Sequence, residues 1–373
     1  MGSVVDTQRV VRPPGRGYPP DLGIVTGAHG ATFDLAAGGS AVDLAGGGWG
    51  YGDPLVVAAV AAQLARLPLS TRSFLSRPLA DAVRRLAELS PPGLDVCYLC
   101  NSGAEALDGA IKLAKGRHPR RRTLVTASRL PHHLPVTQRT VPYGDAGALR
   151  EALTRDVFAL VVEPVLTTAG VVVPPPGYLV AAREACDRSG AVLIADETVT
   201  GLGRTGERFA WSGPDVAVFG STLGGGVLPL GAYVARKRLN DRVYRHRTPV
   251  LHASTTGGNP ASCAAALATL ALLAERDVTG NARRLGAVLA AWLDELGRSF
   301  PGVVADPVAA GLLGSVTLPD VGWAAAVQQE TLRQGAVVLR QGRMLAIRPP
   351  LRIRRPELDR GLAALRTALA KQP

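Results

Sequence analysis

The sequence predicts an α/β fold built around a parallel sheet, and two observations lead to this prediction. Forty-seven per cent of the 373 residues are hydrophobic, so the chain can bury a large core. In the middle of the chain, short runs rich in β-branched residues alternate with helix-length segments, which is typical of parallel strands joined by helices. The predicted strands span residues 96–100, 123–127, 158–162, 191–195 and 216–219.

The segments on either side of these strands have different patterns. Residues 1–20 are rich in proline, glycine and arginine and are expected to form a loose lead-in. Apolar residues then recur at helical spacing in 54–67 and 79–89, which predicts two amphipathic helices. The C-terminal part is expected to be α+β. It has predicted helices at 261–275, 281–298 and 356–370 and predicted strands at 303–318, 336–339 and 345–347.

The net charge of +12 comes from arginine, because only four of the 42 basic residues are lysines. No arginine cluster is interleaved with aromatic residues as in single-strand binders, and the basic run at 120–122 is expected to be a solvated turn. We therefore expect no nucleic-acid partner. No stretch reaches about 18 apolar residues, and the start of the chain lacks a leader pattern. No membrane association and a cytoplasmic location are expected.

The cysteines indicate neither a disulfide framework nor a metal site. Cys97, Cys100, Cys186 and Cys263 are too few and too scattered for a disulfide-stabilised fold. Cys97 and Cys100 are spaced like a zinc-binding pair, but no second pair completes such a site. We predict buried thiols and no metal.

One predicted strand-to-helix junction has the composition of a phosphate-binding turn. Asn101-Ser102-Gly103-Ala104 follows the strand at 96–100, where free backbone N–H groups and the helix dipole can hold an anion. The same residues also fit an ordinary helix N-cap.

A second junction, Gly201-x-Gly203-x-x-Gly206, has the glycine spacing of a dinucleotide-binding loop. An aromatic segment follows it where such a loop requires a long helix, so dinucleotide binding is not predicted. Asp196 lies at the carboxyl end of the preceding strand, the position from which open α/β sheets contact ligands. Its carboxylate can pair with a protonated ring nitrogen.

Short blocks that carry these junctions follow one another in a defined order along the chain. They are Gly50-Tyr51-Gly52-Asp53-Pro54, Asn101-Ser102-Gly103-Ala104-Glu105-Ala106, Glu163-Pro164, Asp196-Glu197, Thr200-Gly201-x-Gly203-Arg204-Thr205-Gly206, Pro214-Asp215, Gly224-Gly225-Gly226, Thr255-x-Gly257-Gly258-Asn259-Pro260 and Pro349-Pro350-Leu351. In this order and spacing they resemble the class III (omega-type) aminotransferases, which are fold-type I enzymes dependent on pyridoxal phosphate (PLP). The resemblance covers roughly residues 23–370.

The resemblance implies an α/β fold with a large, mostly parallel sheet domain of the seven-stranded type and a small α+β domain from both termini. The corresponding boundaries are 1–45 for an arm and part of the small domain, 46–274 for the large domain and 275–373 for the rest of the small domain. It also implies a homodimer with active sites at the interface and a small-molecule substrate.

The resemblance further implies roles for individual residues. Ser102, Gly103 and Ala104 would hold the cofactor phosphate, Asp196 the pyridine nitrogen, and Thr255 the phosphate across the dimer interface.

The residue that defines the family's chemistry differs. The family's Schiff-base lysine lies two residues before the Leu-Gly-Gly-Gly block, where this chain has Ser221, and a hydroxyl cannot form an imine. Pro131 stands where a ring-stacking aromatic is expected, Val199 where a glutamine is expected, and Ala346 where a carboxylate-binding arginine is expected. An engineered lysine replacement would explain Ser221 alone.

Further candidates come from the same pattern. His132 and His133 are candidate acid/base groups, since imidazole titrates near neutrality, although His132 also matches a family histidine. Ser221 either contacts a ligand or only fills space. In a pocket without cofactor, Glu163 and Asp196 are expected to be buried carboxylates with raised pKa values that can act as acids or bases, whereas bound cofactor would keep Asp196 ionised. Glu163 is also a candidate for substrate binding. Arg348 either binds an anionic substrate or is one of many surface arginines.

Three functions remain open from the sequence. The first is a diverged aminotransferase-like enzyme that holds PLP or pyridoxamine phosphate (PMP) non-covalently and acts on an amine, amino acid or keto substrate. The second is a PLP-independent acid/base enzyme on the same scaffold, catalysing elimination, isomerisation or cyclisation. The third is a non-catalytic partner subunit. The first two have equal support, so the presence of a cofactor is open as well.

Overall fold

The computed structural model describes residues 24–36, 38–46, 48–70, 74–128, 136–244 and 251–372. These residues form two compact units. The larger unit is Gly52–Arg284, and the smaller unit combines the chain up to Tyr51 with the chain from Leu285 onward.

The elements are numbered in chain order. The strands are β1 (Val25–His29), β2 (Thr32–Leu35), β3 (Ser40–Leu44), β4 (Val96–Cys100), β5 (Thr123–Thr126), β6 (Thr137–Thr140), β7 (Val157–Val162), β8 (Val192–Asp196), β9 (Val216–Phe219), β10 (Gly231–Ala235), β11 (Ala305–Ala309), β12 (Gly314–Thr317), β13 (Ala336–Gln341) and β14 (Met344–Ile347). The helices are α1 (Pro54–Arg66), α2 (Arg77–Leu89), α3 (Gly103–Arg117), α4 (Ala146–Ala152), α5 (Tyr178–Ser189), α6 (Lys237–Tyr244), α7 (Pro260–Glu275), α8 (Val278–Ser299), α9 (Val321–Arg333) and α10 (Arg355–Ala370).

The larger unit contains a seven-stranded sheet in the order β4-β10-β9-β8-β7-β5-β6. Strands β9, β8, β7, β5 and β6 run parallel, whereas β10 is antiparallel to both of its neighbours. The predicted mostly parallel α/β sheet is confirmed. The sequence prediction missed β6, which is short and largely polar, and β10, which is short and rich in small residues. Neither has a continuous run of large apolar residues such as that of β7.

Helices cover the central strands on both faces. Every residue of β7 and β8 is buried, because α3 and α6 pack on one face and α4 and α5 on the other. Side chains on both faces of such strands must be apolar, which explains why these strands read as continuous hydrophobic runs. Small residues on α3 allow a close approach to the sheet, and a Cβ on Gly109 would lie 2.9 Å from the ring of Tyr233.

The smaller unit has its own seven-stranded sheet in the order β1-β2-β3-β13-β14-β12-β11. The parallel pair β3 and β13 joins the two ends of the chain. The C-terminal α+β prediction is correct in type, but 303–318 is a hairpin of β11 and β12 instead of one strand. Gly311, at a φ of 59°, lies in the turn between them. Helix α9 was also missed. In the described part of the chain, every helix is too short or too polar to cross a membrane.

Candidate active site

Three turns of the larger unit converge at one edge of its sheet. They follow β4, β8 and β9, whose carboxyl ends share that edge. A Cβ on Gly103 would lie 2.8 Å from Thr198 Cγ2 and 3.2 Å from Gly220 Cα, and a Cβ on Gly220 would lie 2.7 Å from the Thr198 carbonyl oxygen. The turns therefore touch, and the contact requires glycine at both positions. The structure brings together the predicted residues that adjoin this contact, Ser102, Asp196 and Ser221.

The turn after β4, at residues 101–104, has a geometry that can hold an anion at the start of α3, and we refer to it as the cradle. Ser102 is the N-cap of the helix, and its Oγ accepts a hydrogen bond from Glu105 N at 3.1 Å. The side chains of Ser102 and Ala104 are exposed at this end. N–H groups in the first turn of a helix have no acceptor within the helix, and the helix dipole adds partial positive charge. Phosphate oxygens fit such a turn.

Asp196 is the last residue of β8 and is buried. Its Oδ1 accepts two hydrogen bonds from Thr198, from N at 3.0 Å and from Oγ1 at 2.6 Å. Among the described residues, Oδ2 has no hydrogen-bond partner. Burial raises the pKa of Asp196 because it penalises the charged carboxylate. A carboxylate held in this way can accept a hydrogen bond from a cationic ring N–H. Sequence reasoning missed Thr198, although a threonine two residues after an aspartate is a recognisable side-chain-to-backbone turn signal.

Glu163 follows β7 and is held by the turn after it. It accepts hydrogen bonds from Thr167 N at 2.8 Å, Thr167 Oγ1 at 2.7 Å and Thr168 Oγ1 at 3.0 Å. Burial raises the pKa of Glu163, and the nearby charge of Asp196 raises it further. The two carboxylates are thus electrostatically coupled neighbours, and sequence reasoning missed the threonines that hold one of them.

Glu197 has a structural role in the loop that follows β8. Its carboxylate accepts hydrogen bonds from Thr200 Oγ1, Ala210 N and Trp211 N at 3.0–3.1 Å. Burial raises the pKa of Glu197 to about 7. The side chain ties the glycine-rich loop to the chain segment after it.

Ser221 opens the 3-10 turn Ser221–Gly224 directly after β9 and is exposed at the site. The four lysines of the chain have partners elsewhere. Lys112 pairs with Asp108, Lys237 with Asp241 and Lys371 with Glu330, and Lys115 donates to two backbone carbonyls.

The loop of Thr255 is tied to the cradle turn through Asn101. Asn101 Nδ2 donates to Ser254 Oγ at 2.8 Å, and Thr256 Oγ1 donates to Asn101 Oδ1 at 3.0 Å. Thr255 itself is exposed between them. His252, three residues before Thr255, is buried, and its Nε2 lies 3.8 Å from Cys100 Sγ.

Four other positions named from the sequence remain, three of them outside the described residues and one in the smaller unit. His132, His133 and Pro131 lie outside the described residues. Arg348 belongs to the smaller unit, where it follows β14 and its Nη2 donates to the Ala45 carbonyl at 3.4 Å.

The architecture, with its seven-stranded, mostly parallel sheet in the larger unit, is that of the fold-type I PLP-dependent transferases. The family model "Aminotransferase class-III" matches residues 15–133 and 129–369. The chain therefore belongs to the class III aminotransferase family.

Solved structures support this assignment. An ornithine aminotransferase from Toxoplasma gondii, described with partial occupancy of PLP at its active site, is 29% identical with a TM-score of 0.86, covering 98% of this chain and 93% of that one. The acetylornithine aminotransferase from Elizabethkingia anophelis is 25% identical, with a TM-score of 0.86 and coverage of 95% and 96%. The ornithine delta-aminotransferase from Plasmodium falciparum is 27% identical, with a TM-score of 0.85 and coverage of 95% and 94%.

Proposed function

We propose that this protein is a diverged class III aminotransferase-like enzyme that binds PLP or PMP without a covalent link and acts on an amine, amino acid or keto substrate. One observation carries the proposal: the cradle at Ser102–Ala104 and Asp196, whose Oδ2 has no hydrogen-bond partner within the described ranges, lie at the carboxyl ends of two strands of the same sheet. Burial disfavours the charge of the Asp196 carboxylate, and a cationic ring N–H bound beside it would offset that cost.

The residues present fit the cofactor at both of its ends. Ser102, Gly103 and Ala104 would hold the phosphate through the first turn of α3, and Asp196 Oδ2 would accept a hydrogen bond from the ring N–H. Thr198 orients the carboxylate by holding Oδ1, so that Oδ2 is the oxygen presented to the ring. When bound, the cofactor supplies an electron sink for bonds next to the substrate nitrogen.

We propose that Ser221 occupies the position of the family's lysine. A hydroxyl forms no covalent link to the cofactor, so the cofactor is held only by its phosphate and ring contacts. Ser221 can hold or orient a substrate group by hydrogen bonding, but it cannot carry a proton as an amine does at neutral pH. Proton transfer then requires another group. His132 and His133 are the candidates, because the family resemblance assigns them to the same pocket.

We also propose a homodimer with Thr255 at its interface. A cavity of about 360 Å³ is lined by the Thr255 loop together with Leu69, Phe74 and Leu75. These three apolar side chains are 57%, 75% and 73% exposed. Large exposed apolar groups that cluster together are typical of protein interfaces. Covering this face with a second copy would remove them from water and place Thr255 beside the partner.

The test of the proposed cofactor is a titration of the purified protein with PLP and with PMP, followed by calorimetry and by absorbance from about 330 to 430 nm. We expect micromolar binding without the absorbance band of a lysine–cofactor link. Ser102→Asp places a carboxylate in the cradle and keeps an N-cap, so it should abolish binding while the fold survives. Arg150→Gln, on the exposed face of α4, is the matched control and should bind normally. Absence of binding in the parent protein would refute the proposal.

A second candidate function has specific support. Glu163 and Asp196 are buried neighbours whose raised pKa values suit acid/base catalysis without a cofactor. If neither PLP nor PMP binds, acid/base catalysis without a cofactor becomes the better explanation. Loss of substrate turnover in Glu163→Gln would then support it.

A further inference from the structure

A second concave site lies at the opposite edge of the larger sheet. A cavity of about 230 Å³ opens where β8 begins at Val192 and just before β9, beside Asp215. Asp196 is at the other end of β8, about 13 Å away along a five-residue strand. The cavity is therefore separate from the candidate active site, and all of its lining residues belong to the larger unit.

The lining of this cavity is strongly basic. Two aspartates, Asp187 and Asp215, face five arginines, which leaves a formal excess of three positive charges. His118 adds no charge near neutral pH, because burial and the nearby Arg121 and Arg117 lower its pKa to about 4. The arginines are Arg117, Arg183, Arg236, Arg238 and Arg242. We refer to this site as the arginine cavity.

Part of the lining is held in place by Asp215. Its carboxylate pairs with Arg183 Nη1 and with Arg236 Nε, each at 3.0 Å, and also accepts a hydrogen bond from Leu193 N. Arg183 forms a second ion pair with Asp187 at 2.8 Å. Its Nε is buried and has no hydrogen-bond partner among the described residues. These contacts fix two guanidinium groups, which lowers the entropy lost when they bind a ligand.

The other arginines carry the uncompensated charge. Within the described ranges, Arg117, Arg238 and Arg242 form no ion pair. Burial lowers the pKa of Arg117, and the positive charges of Arg242 and Arg121 lower it further. Like charges gathered on a concave surface repel one another, and an anion bound between them would relieve that repulsion.

We propose that the arginine cavity binds a small, multiply charged anion through its phosphoryl groups. Guanidinium groups match phosphate oxygens with paired hydrogen bonds, which favours phosphoryl over other anionic groups. The cavity is smaller than the roughly 300–1,000 Å³ typical of drug-sized ligands, so the bound part of the ligand is compact. Pyrophosphate is the simplest anion of this class. Free pyrophosphate and the phosphoryl groups of a larger metabolite would be bound through the same contacts with guanidinium groups.

The first experiment is a calorimetric titration of the full chain with inorganic pyrophosphate at constant ionic strength. The double variant Arg117→Gln/Arg242→Gln should weaken binding at least tenfold. Arg150→Gln removes a positive charge from outside the cavity and should leave binding unchanged. Ser102→Asp blocks the cofactor cradle, where phosphate oxygens also fit, so the pyrophosphate binding that persists in this variant reports on the arginine cavity. Equal affinity in the double variant and the parent, or loss of binding in Ser102→Asp, would overturn the proposal.

Two further measurements test the proposal independently. Because the removed charges repel each other, the double variant without ligand should melt at the same temperature as the parent or higher, and a lower melting temperature would contradict the charge argument. Citrate, a compact tricarboxylate, should bind at least tenfold more weakly than pyrophosphate. Citrate binding as tight as pyrophosphate would overturn the phosphoryl assignment.

Discussion

Replacing Asp196 by asparagine should change cofactor affinity and protein stability in opposite directions. Asparagine has the same shape, and its Oδ1 can still accept both hydrogen bonds from Thr198. Its Nδ2 then takes the place of Oδ2 and presents a donor to the ring N–H, where an acceptor is required. A hydrogen bond to a charged group contributes about 1.5–3 kcal/mol. The Kd for PLP and PMP should therefore rise about 10- to 150-fold.

Without cofactor, the same replacement removes a buried charge. The raised pKa of Asp196 means that the folded protein holds this proton more tightly than the unfolded chain, so its contribution to stability falls as the pH rises. Asp196→Asn should then be more stable than the parent at pH 8, and the difference should shrink towards about pH 4.

The assay is a pair of measurements on each protein, calorimetric titration with PMP and urea unfolding without cofactor at pH 8. Glu197→Gln is the matched control. The Glu197 carboxylate accepts hydrogen bonds from the backbone N–H groups of Ala210 and Trp211, so this variant should not affect cofactor affinity. Unchanged affinity in Asp196→Asn would refute the assignment of Asp196 to the ring nitrogen. Lower stability of the cofactor-free variant at pH 8 would refute the burial argument.

Three more predictions follow from the site. Because burial raises the pKa of Glu197 from 4.5 to about 7, its contribution to stability is full below about pH 4.5 and should fall by about 3 kcal/mol as the pH rises through 7. Urea unfolding across this range should show a flatter profile for Glu197→Gln, and an unchanged slope would contradict the prediction. Gly103→Ala forces its Cβ against Thr198, so it should lower the free energy of unfolding in urea by about 1–3 kcal/mol and weaken PMP binding. Gly147→Ala, at the exposed start of α4, is the control and should change neither quantity. Ser221→Lys alone should not produce amino transfer from alanine or glutamate, because Pro131 and Val199 also differ from the residues expected in the family. Robust transfer by this variant would show that the other pocket residues support the family's reaction.

The parts of the fold that the sequence predicted are those whose signals are local. Strands β7, β8 and β9 were predicted because fully buried parallel strands need continuous apolar runs. Strand β6 was missed because it is the outermost strand of the sheet, so its residues are largely exposed and polar. The division of 303–318 into two strands depends on a turn at Gly311, which an apolar pattern alone does not reveal.

The candidate site shows the same division. The sequence by itself determined the family, through short blocks in a defined order along the chain. It also predicted a phosphate-binding turn at 102–104 and an acidic residue at the end of β8, because each of these signals is carried by consecutive residues. Only the tertiary structure decided that Gly103, Thr198 and Gly220 touch and that five arginines share a cavity at the opposite ends of the strands. These contacts join residues far apart in the chain, and their distances depend on how strands pair and helices pack, which local patterns do not encode.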